Sequence, residues 1–421
     1  MTLPAIPANV LTLLARTGLL GLVPVPTARQ WIASASSQPQ ISEPNGNLPK
    51  QLLVDVSVIH QHDAGTGIQR VVRSVLGHLQ AVPLAGYAVH AVAAEAKRPY
   101  YYTAKPSGQG SQQVKAQKGD VFLGLDLVAH LLPRHINQLL DWKLAGARLH
   151  FVVYDILPLT HPSHFKAKRV QHFRRWARLI AILADSLLCI SRTVQADLQD
   201  WLEKNFGLNP AQLPTQVIPL GGDFAKNTIS TAPSALVQKT LGQLKGQRWA
   251  LMVGTLEPRK CHVQVLDAFE QLWQQNQAVN LVLIGRAGWQ TEALQQRIAQ
   301  HPQLNRKLYW FNNASDSELE LFYQQCTGVV AASLAEGYGL PLREAMAHGK
   351  PLLARNIPVF REVAGDYAQY FDNDTAAVFS VKLHRWLHMP VATNKSDSDI
   401  STWANTTLRI LQSLAINGSL K

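Results

Sequence analysis

The stretch Ala335-Glu336-Gly337-Tyr338-Gly339-Leu340-Pro341-Leu342-Arg343-Glu344-Ala345-Met346 decides the fold of the second half of the chain. It follows an apolar run at 328–333 that is typical of a buried strand. Pro341 suits the start of a helix, because the first helical turn leaves backbone N–H groups unused and proline has none. The stretch therefore predicts a strand, a glycine-rich loop and a helix, whose free N–H groups suit a phosphate.

Two carboxylates bracket this loop. Glu336 lies within it, and Glu344 falls in the first turn of the predicted helix, so both can face one pocket. Carboxylates repel a phosphate, so we expect them to accept hydrogen bonds from sugar hydroxyls instead. The fragment alone also fits a plain turn between strand and helix, with Glu344 placed favourably in the helix dipole.

The composition indicates a folded protein with anionic partners. At 421 residues, 47% hydrophobic and 16% charged, the chain is long enough for two or three globular domains. A net charge of +12 favours nucleic acid, phospholipid surfaces or phosphorylated small molecules. Cys189, Cys261 and Cys326 lack the spacing of zinc ligands or of a disulfide framework, so a reducing cytoplasm is the expected compartment.

Residues 1–50 are predicted to be a loosely packed tail followed by a linker. The leucine-rich segment 10–25 contains an arginine, two glycines and a proline, and is too short to span a bilayer. A short amphipathic surface anchor is the alternative for this segment. Residues 34–49 are rich in Ser, Gln, Pro and Asn, which is typical of a linker.

A second strand–loop–helix unit follows the tail. Residues 51–59 are predicted to form a buried strand, and a helix is predicted to run to about residue 80. We expect Gly65, Thr66 and Gly67, in the loop between them, to let the backbone approach a ligand closely. The loop is not a dinucleotide fingerprint, because Arg70 occupies the position of the third glycine.

Asp155 interrupts the apolar run 148–159, which predicts a strand that ends beside it. Ligands of open α/β sheets bind at the carboxyl ends of strands, so Asp155 is a candidate site residue, with a turn cap as the alternative. Residues 164–180 form a basic amphipathic helix that favours an anionic membrane surface; a solvated face of an ordinary helix is the alternative. The chain has no motif typical of nucleic-acid binding.

Strands and helices alternate through both halves, which predicts two parallel sheets covered by helices. In the second half the predicted strands are 249–256, 281–285, 307–311, 328–333, 351–354 and 369–371, and the helices are 263–274, 291–300, 315–325, 342–348 and 358–363. The fold class is therefore α/β, with two doubly wound Rossmann-like domains facing a central cleft. The predicted divisions are a tail (1–50), an acceptor-side domain (51–235), a donor domain (236–395) and a C-terminal helical segment (396–421) that packs back on the first domain, with 222–247 as the crossing between domains.

The turn Gly254-Thr255-Leu256-Glu257-Pro258-Arg259-Lys260 closes the first strand of the second half. Its position predicts that Arg259 and Lys260 lie at the same sheet edge as the Glu336 loop. A planar guanidinium beside an ammonium suits a diphosphate. A basic turn in a basic protein is the alternative, which the convergence of the two loops disfavours.

These motifs, in this order, resemble the retaining family 4 glycosyltransferases, which have the two-domain GT-B fold. Residues 254–260 resemble the family's V-G-x-x-x-x-R-K turn, and Glu336 and Glu344 resemble its E-x7-E pair. Residues 66–71 and 154–158 are similar to a bacterial subset that builds O-antigen and other surface polysaccharides, often with mannose or rhamnose donors. The resemblance implies a retaining hexosyltransferase, with mannose from GDP-mannose as the best guess for its donor and a glycan as acceptor.

The resemblance also implies a role for each matching residue. Arg259 and Lys260 would bind the donor diphosphate, Glu336 the sugar hydroxyls and Glu344 the ribose. Asp155 stands where the family often has a histidine that touches the donor sugar. The backbone positions expected near the donor are Gly65, Thr66, Gly67, Gly254, Gly337, Tyr338, Gly339 and Leu340.

The chain has no D-x-D pair at the predicted site, so we expect a metal-independent reaction without a cofactor. Charge on the leaving diphosphate would be neutralised by Arg259, Lys260 and helix-end amides. The expected location is the inner face of the plasma membrane, with an acceptor that can be linked to a lipid diphosphate. Two alternatives stay open: a nucleotide-sugar epimerase of related fold, and a non-catalytic basic membrane-binding protein.

Overall fold

The structure is a computed structural model that describes residues 6–37, 49–103, 112–223, 232–389 and 401–417. It divides into two compact units, unit 1 with Met1–Leu220 and Trp403–Lys421, and unit 2 with Gly221–Thr402. The first crossing between units therefore falls at 220/221 rather than at the predicted 235/236.

Unit 1 is built on a mostly parallel sheet. Its strands are β1 (Lys50–Asp55), β2 (Tyr87–Glu95), β3 (Arg98–Tyr102), β4 (Val121–Gly124), β5 (Arg148–Val153), β6 (Ser186–Cys189) and β7 (Thr215–Val217). Within the described residues, these seven strands form one sheet in the order β3-β2-β1-β4-β5-β6-β7. The edge strand β3 runs antiparallel to β2.

The helices that precede unit 2 belong to the same unit. They are α1 (Ala8–Arg16), α2 (Val25–Ser36), α3 (Ser57–Gln61), α4 (Gly67–Ala81), α5 (Ile136–Leu144), α6 (Leu157–Thr160), α7 (Ala167–Leu183) and α8 (Arg192–Phe206), with short 3-10 turns at Leu19–Leu22, Leu132–His135 and Pro162–His164. Helix α4 starts with a capping box between Thr66 and Gln69, and the side chain of Ser191 caps α8.

The prediction of a loosely packed N-terminal tail is wrong for residues 8–36. Helices α1 and α2 pack against α5 and α7, and bury Leu11, Leu20 and Ile32. The guanidinium of Arg29 donates hydrogen bonds to the carbonyl oxygens of Ala181 (2.8 Å), Ala184 (2.9 Å) and Gln212 (2.8 Å). The apolar side chains lie at helical spacing, so two short helices bury them. The predicted linker lies mostly outside the described residues, and its first residues end α2.

Unit 2 is a doubly wound parallel domain. Its strands are β8 (Arg248–Val253), β9 (Val279–Ile284), β10 (Leu308–Phe311), β11 (Gly328–Ala331), β12 (Leu352–Arg355) and β13 (Ala368–Phe371). Within the described residues they form one sheet in the order β10-β9-β8-β11-β12-β13. All the pairs are parallel. Counted from β8, the order is the 3-2-1-4-5-6 of a Rossmann domain.

The helices of unit 2 alternate with these strands. They are α9 (Ala235–Leu244), α10 (His262–Gln274), α11 (Glu292–Ala299), α12 (Asp316–Gln325), α13 (Leu340–Ala347), α14 (Pro358–Ala364) and α15 (Ala376–His388), with 3-10 turns at Pro258–Lys260 and Gly365–Tyr367. Helix α9 lies within the predicted crossing, and α15 was not predicted. Helix α15 packs on α10, where Phe379 stacks on Phe371 in the core.

The chain returns to unit 1 with α16 (Trp403–Ser413). Helix α16 packs on α4 and buries Trp403, Ile410 and Leu411. The Thr406 hydroxyl donates to the carbonyl oxygen of Pro219 (2.9 Å), just before the chain leaves unit 1. In the part of the chain that the structure describes, no helix is long and apolar enough to cross a membrane.

Strand ends account for most differences from the predicted elements. The strand predicted at 51–59 stops at Asp55, and Ser57 already begins α3. The cause is local: the Asp55 carboxylate accepts hydrogen bonds from the Ser57 backbone (2.9 Å) and hydroxyl (2.5 Å), which turns the chain. Such a turn ends the strand within an apolar run, so the composition of the run alone does not predict where the strand stops.

Candidate functional site

The candidate site lies in unit 2 at the point where the strand order reverses. From β8 the chain builds outward through β9 and β10, and then returns to the other side of β8 with β11. The loops after β8 and β11 therefore separate at the carboxyl edge of the sheet. In doubly wound folds this reversal leaves a crevice in which ligands bind.

The loop after β8 rests on glycines. Gly254 has φ 148°, and an added Cβ on it would lie 3.6 Å from the Lys260 ammonium. An added Cβ on Gly285, after β9, would lie 2.0 Å from the Gly254 carbonyl oxygen. An added Cβ on Gly288 would lie 2.4 Å from the Leu256 carbonyl oxygen. Because only glycine fits at these contacts, the loop after β9 supports the turn that carries Lys260.

Two cations share one carboxylate at the reversal. The Lys260 ammonium donates to Oε1 of Glu336, and Nη1 of Arg259 lies 2.9 Å from Oε2 of Glu336. Arg259 also contacts the Glu257 carboxylate through Nε (3.1 Å) and donates to the carbonyl oxygen of Ala335 (2.9 Å). The side chains of Arg259, Lys260 and Glu336 are 16%, 15% and 11% exposed. The structure thus brings together three predicted site residues in a nearly buried cluster.

The cluster keeps Glu336 ionised. Burial alone would raise the pKa of Glu336, but the charges of Lys260 and Arg259, with hydrogen bonds from Lys260 and Ser333, outweigh burial and lower the pKa to about 2. The Glu336 carboxylate is therefore a hydrogen-bond acceptor near neutral pH. It is unsuited to donating a proton.

His262 adjoins the cluster at the start of α10, and the sequence analysis did not identify it. Its side chain is buried. Burial and the charge of Lys260 lower the pKa of His262 to about 3, against the opposing effect of the Gly254 carbonyl. His262 is therefore neutral near pH 7 and adds no positive charge to that of Lys260.

Glu344 lies deeper than predicted. Helix α13 begins at Leu340, so Glu344 is its fifth residue and lies in the second turn, whereas the first turn was predicted. Its carboxylate is buried and accepts a 2.6 Å hydrogen bond from the Tyr323 hydroxyl. Gly339 caps α13 with φ 105°, and an added Cβ there would lie 2.9 Å from Phe360. The predicted contact of Glu344 with a ribose stays a prediction.

Arg355 is a buried residue beside the site that was not predicted to belong to it. It ends β12 and donates through Nε to the carbonyl oxygen of Ala332 (2.8 Å), in the loop that leads to Glu336. Its Nη2 donates to the side chain of Gln264 on α10, the helix that follows Lys260. Arg355 therefore ties together the two segments that carry the ion-paired cluster.

The remaining predicted residues lie in unit 1. Gly65 (φ 64°), Thr66 and Gly67 form the exposed start of α4, after β1. Asp155 follows β5, and its Oδ1 accepts from the backbone N–H of Leu157 (3.0 Å) at the start of α6. Asp155 thus caps a turn, which was the alternative interpretation, and its predicted role at the donor stays a prediction. Strand β4 separates β1 from β5 in the sheet.

A buried acidic pair marks the corresponding reversal in unit 1. Asp55 ends β1 and accepts a hydrogen bond from the Tyr100 hydroxyl (2.7 Å), while Asp126 accepts from the backbone N–H groups of Val58 and Ile59. Burial and the charge of Asp126 raise the pKa of Asp55 to about 7, against hydrogen bonds that lower it. The pair anchors α3, which leads to the Gly65 loop.

The described residues contain no group of three His, Cys, Asp or Glu side chains that could hold a metal ion. The expectation of a metal-independent, cofactor-free reaction stays a prediction.

Comparison with known proteins relates unit 2 to a family and the whole chain to solved structures. Residues 237–402 match the family described as Glycosyl transferases group 1. The structure of Anabaena Alr3699/HepE in complex with UDP and glucose covers 87% of this chain and 99% of its own, with a TM-score of 0.60 at 16% identity. WaaG, a glycosyltransferase involved in lipopolysaccharide biosynthesis, covers 86% and 95%, with a TM-score of 0.54 at 15% identity. Residues 237–402, which lie in unit 2, thus resemble group 1 glycosyltransferases, and the predicted GT-B fold is confirmed.

Two curated relatives of the chain are named as mannosyltransferases. The serotype-specific mannosyltransferase WbdA of Escherichia coli is 38% identical over 348 residues, which are 80% of this chain and 41% of that protein. O-antigen chain mannosyltransferase B of Escherichia coli is 29% identical over 265 residues, 61% of this chain and 68% of that protein. The chain therefore spans about two-fifths of the length of the WbdA protein that it matches.

Proposed function

We propose that the chain is a retaining glycosyltransferase that moves mannose from GDP-mannose to a glycan acceptor in O-antigen or other surface polysaccharide synthesis. The observation that carries the proposal is the cluster of Arg259, Lys260 and Glu336 at the reversal point of unit 2. The mannosyltransferase names of WbdA and of O-antigen chain mannosyltransferase B support the sugar. The complex of HepE with UDP and glucose supports a nucleotide sugar as the kind of donor.

The ion pairs suggest how the donor is held. Arg259 and Lys260 face two carboxylates, Glu257 and Glu336, so the charges of these four side chains cancel. A diphosphate therefore binds by exchange: it takes over the two cations from Glu336. The released Glu336 carboxylate then accepts hydrogen bonds from hydroxyls of the donor sugar.

Bond cleavage builds negative charge on the departing diphosphate. Arg259 and Lys260 are positioned to stabilise that charge, together with backbone N–H groups at the start of α13. A front-face attack, in which the departing phosphate takes the acceptor proton, gives Glu336 no part in proton transfer. The low pKa of Glu336 agrees with that division of labour.

Other predicted residues take supporting roles in this proposal. Tyr323 orients the Glu344 carboxylate, which we assign to the ribose of the donor. Asp155 and the segment Gly65-Thr66-Gly67 are assigned to the donor or acceptor from unit 1. We further propose that the acceptor is linked to a lipid diphosphate and that the basic face of α7 meets an anionic membrane at the cytoplasmic side. Lys168, Arg169, Arg174 and Arg175 on that helix are exposed.

A ligand screen followed by a transfer assay tests the donor. GDP-mannose at about 100 times its dissociation constant should add roughly 2.7 kcal/mol to the free energy of unfolding, and UDP and dTDP sugars much less. Labelled mannose should then appear on an added glycan acceptor with retained anomeric configuration. Conversion of the nucleotide sugar without acceptor would indicate an epimerase. If the wild type transferred no sugar, and Glu336→Ala bound the donor as well as the wild type does, the proposal would be contradicted.

A further inference from the structure

Four apolar side chains project from the N-terminal segment that was predicted to be a tail. Val10, Leu13, Leu19 and Leu22 are 37%, 59%, 48% and 79% exposed, and we call them the leucine patch. Among the described residues of unit 1, every large hydrophobic side chain classed as exposed belongs to this patch. The concentration of exposed leucine in one segment of 13 residues, 10–22, is unlike the rest of the unit.

The patch is held outward by the packing of its neighbours. In α1, Leu11 and Ala15 are four residues apart and are buried against the unit, so Val10 and Leu13 lie on the opposite side. Gly18, with φ 77°, starts the 3-10 turn Leu19–Leu22, in which Leu20 is fully buried between two exposed leucines. The packing of Leu11, Ala15 and Leu20 therefore keeps the leucine patch exposed in the folded unit.

Basic side chains of α7 lie beside the patch. The Arg178 guanidinium donates to the carbonyl oxygen of Val23, the residue directly after Leu22. Arg174 and Arg175 precede Arg178 by four and three residues, so they lie on the same face, about 5 Å along the helix. Both are exposed. Residues 6–37 and 161–183 contain no acidic residue, and Asp141 is the acid whose charge acts on Arg16.

We propose that the leucine patch inserts into the surface of an anionic bilayer, with Arg174 and Arg175 on the lipid headgroups. Apolar side chains beside exposed basic ones match a membrane interface, where hydrocarbon and negative charge adjoin. A second copy of the chain fits poorly, because a symmetric pairing would place the two basic faces together. The proposal extends the membrane part of the proposed function to a second element and is independent of the donor site.

Vesicle flotation of the full chain tests the proposal. The chain should bind phosphatidylcholine vesicles that contain phosphatidylglycerol, bind pure phosphatidylcholine far less, and bind more weakly as salt is raised. The pair Leu19→Ser and Leu22→Ser should lower the partition coefficient about tenfold or more, since two exposed leucines lose their burial in lipid. The pair Arg174→Glu and Arg175→Glu should lower it about tenfold by removing the attraction to anionic headgroups.

Val381→Ser is the matched control, because Val381 on α15 in unit 2 is 67% exposed and should leave binding unchanged. Leu22→Ser alone is tested beside the pair. Its thermal unfolding should match that of the wild type, which excludes misfolding as the cause of weaker binding. Equal binding to neutral vesicles, or binding that survives both leucine substitutions, overturns the proposal. So does a dimer that the leucine variants dissociate. Mannose transfer to a soluble acceptor should persist in the leucine variants; its absence from the wild type would instead contradict the proposed function.

Discussion

Lys260 and Arg259 differ in how much of the fold depends on each. Arg259 contacts Glu257, Glu336 and the carbonyl oxygen of Ala335, whereas the ammonium of Lys260 is paired with Glu336. If Lys260 is removed, Glu336 keeps its ion pair with Arg259. Lys260 is therefore the better position at which to separate a role in the reaction from a role in folding.

Lys260→Ala should lower mannose transfer at least about 100-fold, because one of the two cations that we propose to stabilise the leaving diphosphate is lost. The free energy of unfolding should fall by only about 1–3 kcal/mol. Steady-state transfer and chemical unfolding measure the two effects. Lys382→Ala, which breaks the more exposed pair with Asp374 on the same unit, should leave transfer unchanged. Near-normal transfer by Lys260→Ala would remove Lys260 from the site.

Asp55 should make the stability of unit 1 depend on pH. Its pKa is about 7 in the folded chain and near 4 when unfolded. Between these values the folded chain holds a proton that the unfolded chain has released, so the free energy of unfolding falls as pH rises from about 4 to 7. Asp55→Asn should remove up to about 4 kcal/mol of that fall. Unfolding titrations of the wild type and of Asp55→Asn at pH 5 and pH 8 measure this difference. An equal change in unfolding free energy with pH in both proteins would falsify the raised pKa of Asp55.

At the scale of elements, the β11–α13 segment was predictable because its signals are local. Pro341 and the glycines lie within a few residues of the strand and helix that they join. The contact of Gly285 with Gly254 was not predictable, since it depends on β8 and β9 being neighbours in the sheet. The same is true of Arg355, whose partners come from a helix and a loop far away in sequence.

Gly285→Ala should disrupt the turn that carries Lys260. The added Cβ would lie 2.0 Å from the Gly254 carbonyl oxygen, at a backbone φ of 157° that alanine rarely adopts. We expect a loss of about 2–4 kcal/mol in unfolding free energy and a matching loss of donor affinity. Gly242→Ala is the control: it lies in α9 with nothing within 4 Å, and should stabilise by about 0.5–1 kcal/mol. Calorimetry and donor titration would show whether both follow this order.

Helices α1 and α2 were not predicted, because the composition of their segment is typical of a tail and only packing against the rest of unit 1 stabilises them as helices. Segment 10–25 is broken by glycine and proline, which is typical of a tail, but Gly18 and Pro24 stand between elements rather than inside them. Only the surface offered by α5 and α7 makes burial of Leu11 and Ile32 favourable. That surface belongs to sequence more than 100 residues away, as the contact of Arg29 with Ala181 illustrates.

At the scale of the whole molecule, unit 1 is discontinuous in sequence. The chain leaves it after Leu220 and returns at Trp403, which is buried together with Ile410 and Leu411 of α16. The alternation of strands and helices predicted the class of both units. It did not predict where the chain crosses, because α9 lies in the segment 222–247, which has few large apolar side chains in sequence.

Trp403→Ala should destabilise unit 1 selectively. Loss of a buried tryptophan costs about 3–5 kcal/mol, and α16 packs within unit 1. Calorimetry in the presence and absence of GDP-mannose should show a lower transition for unit 1, with the ligand-sensitive transition of unit 2 unchanged. Leu236→Ala, at an exposed position on α9, serves as the control. An equal shift of both transitions would contradict the division into two units.

The return of α16 to unit 1 also sets an order of events during synthesis. Every strand and helix of unit 2 leaves the ribosome before Trp403 does. Unit 2 can thus reach its native state while unit 1 still lacks a piece of its interior. The N-terminal unit must wait through the translation of the 182 residues of Gly221–Thr402 with the α16-facing side of α4 uncovered. That nascent surface is where a chaperone would be expected to engage the growing chain.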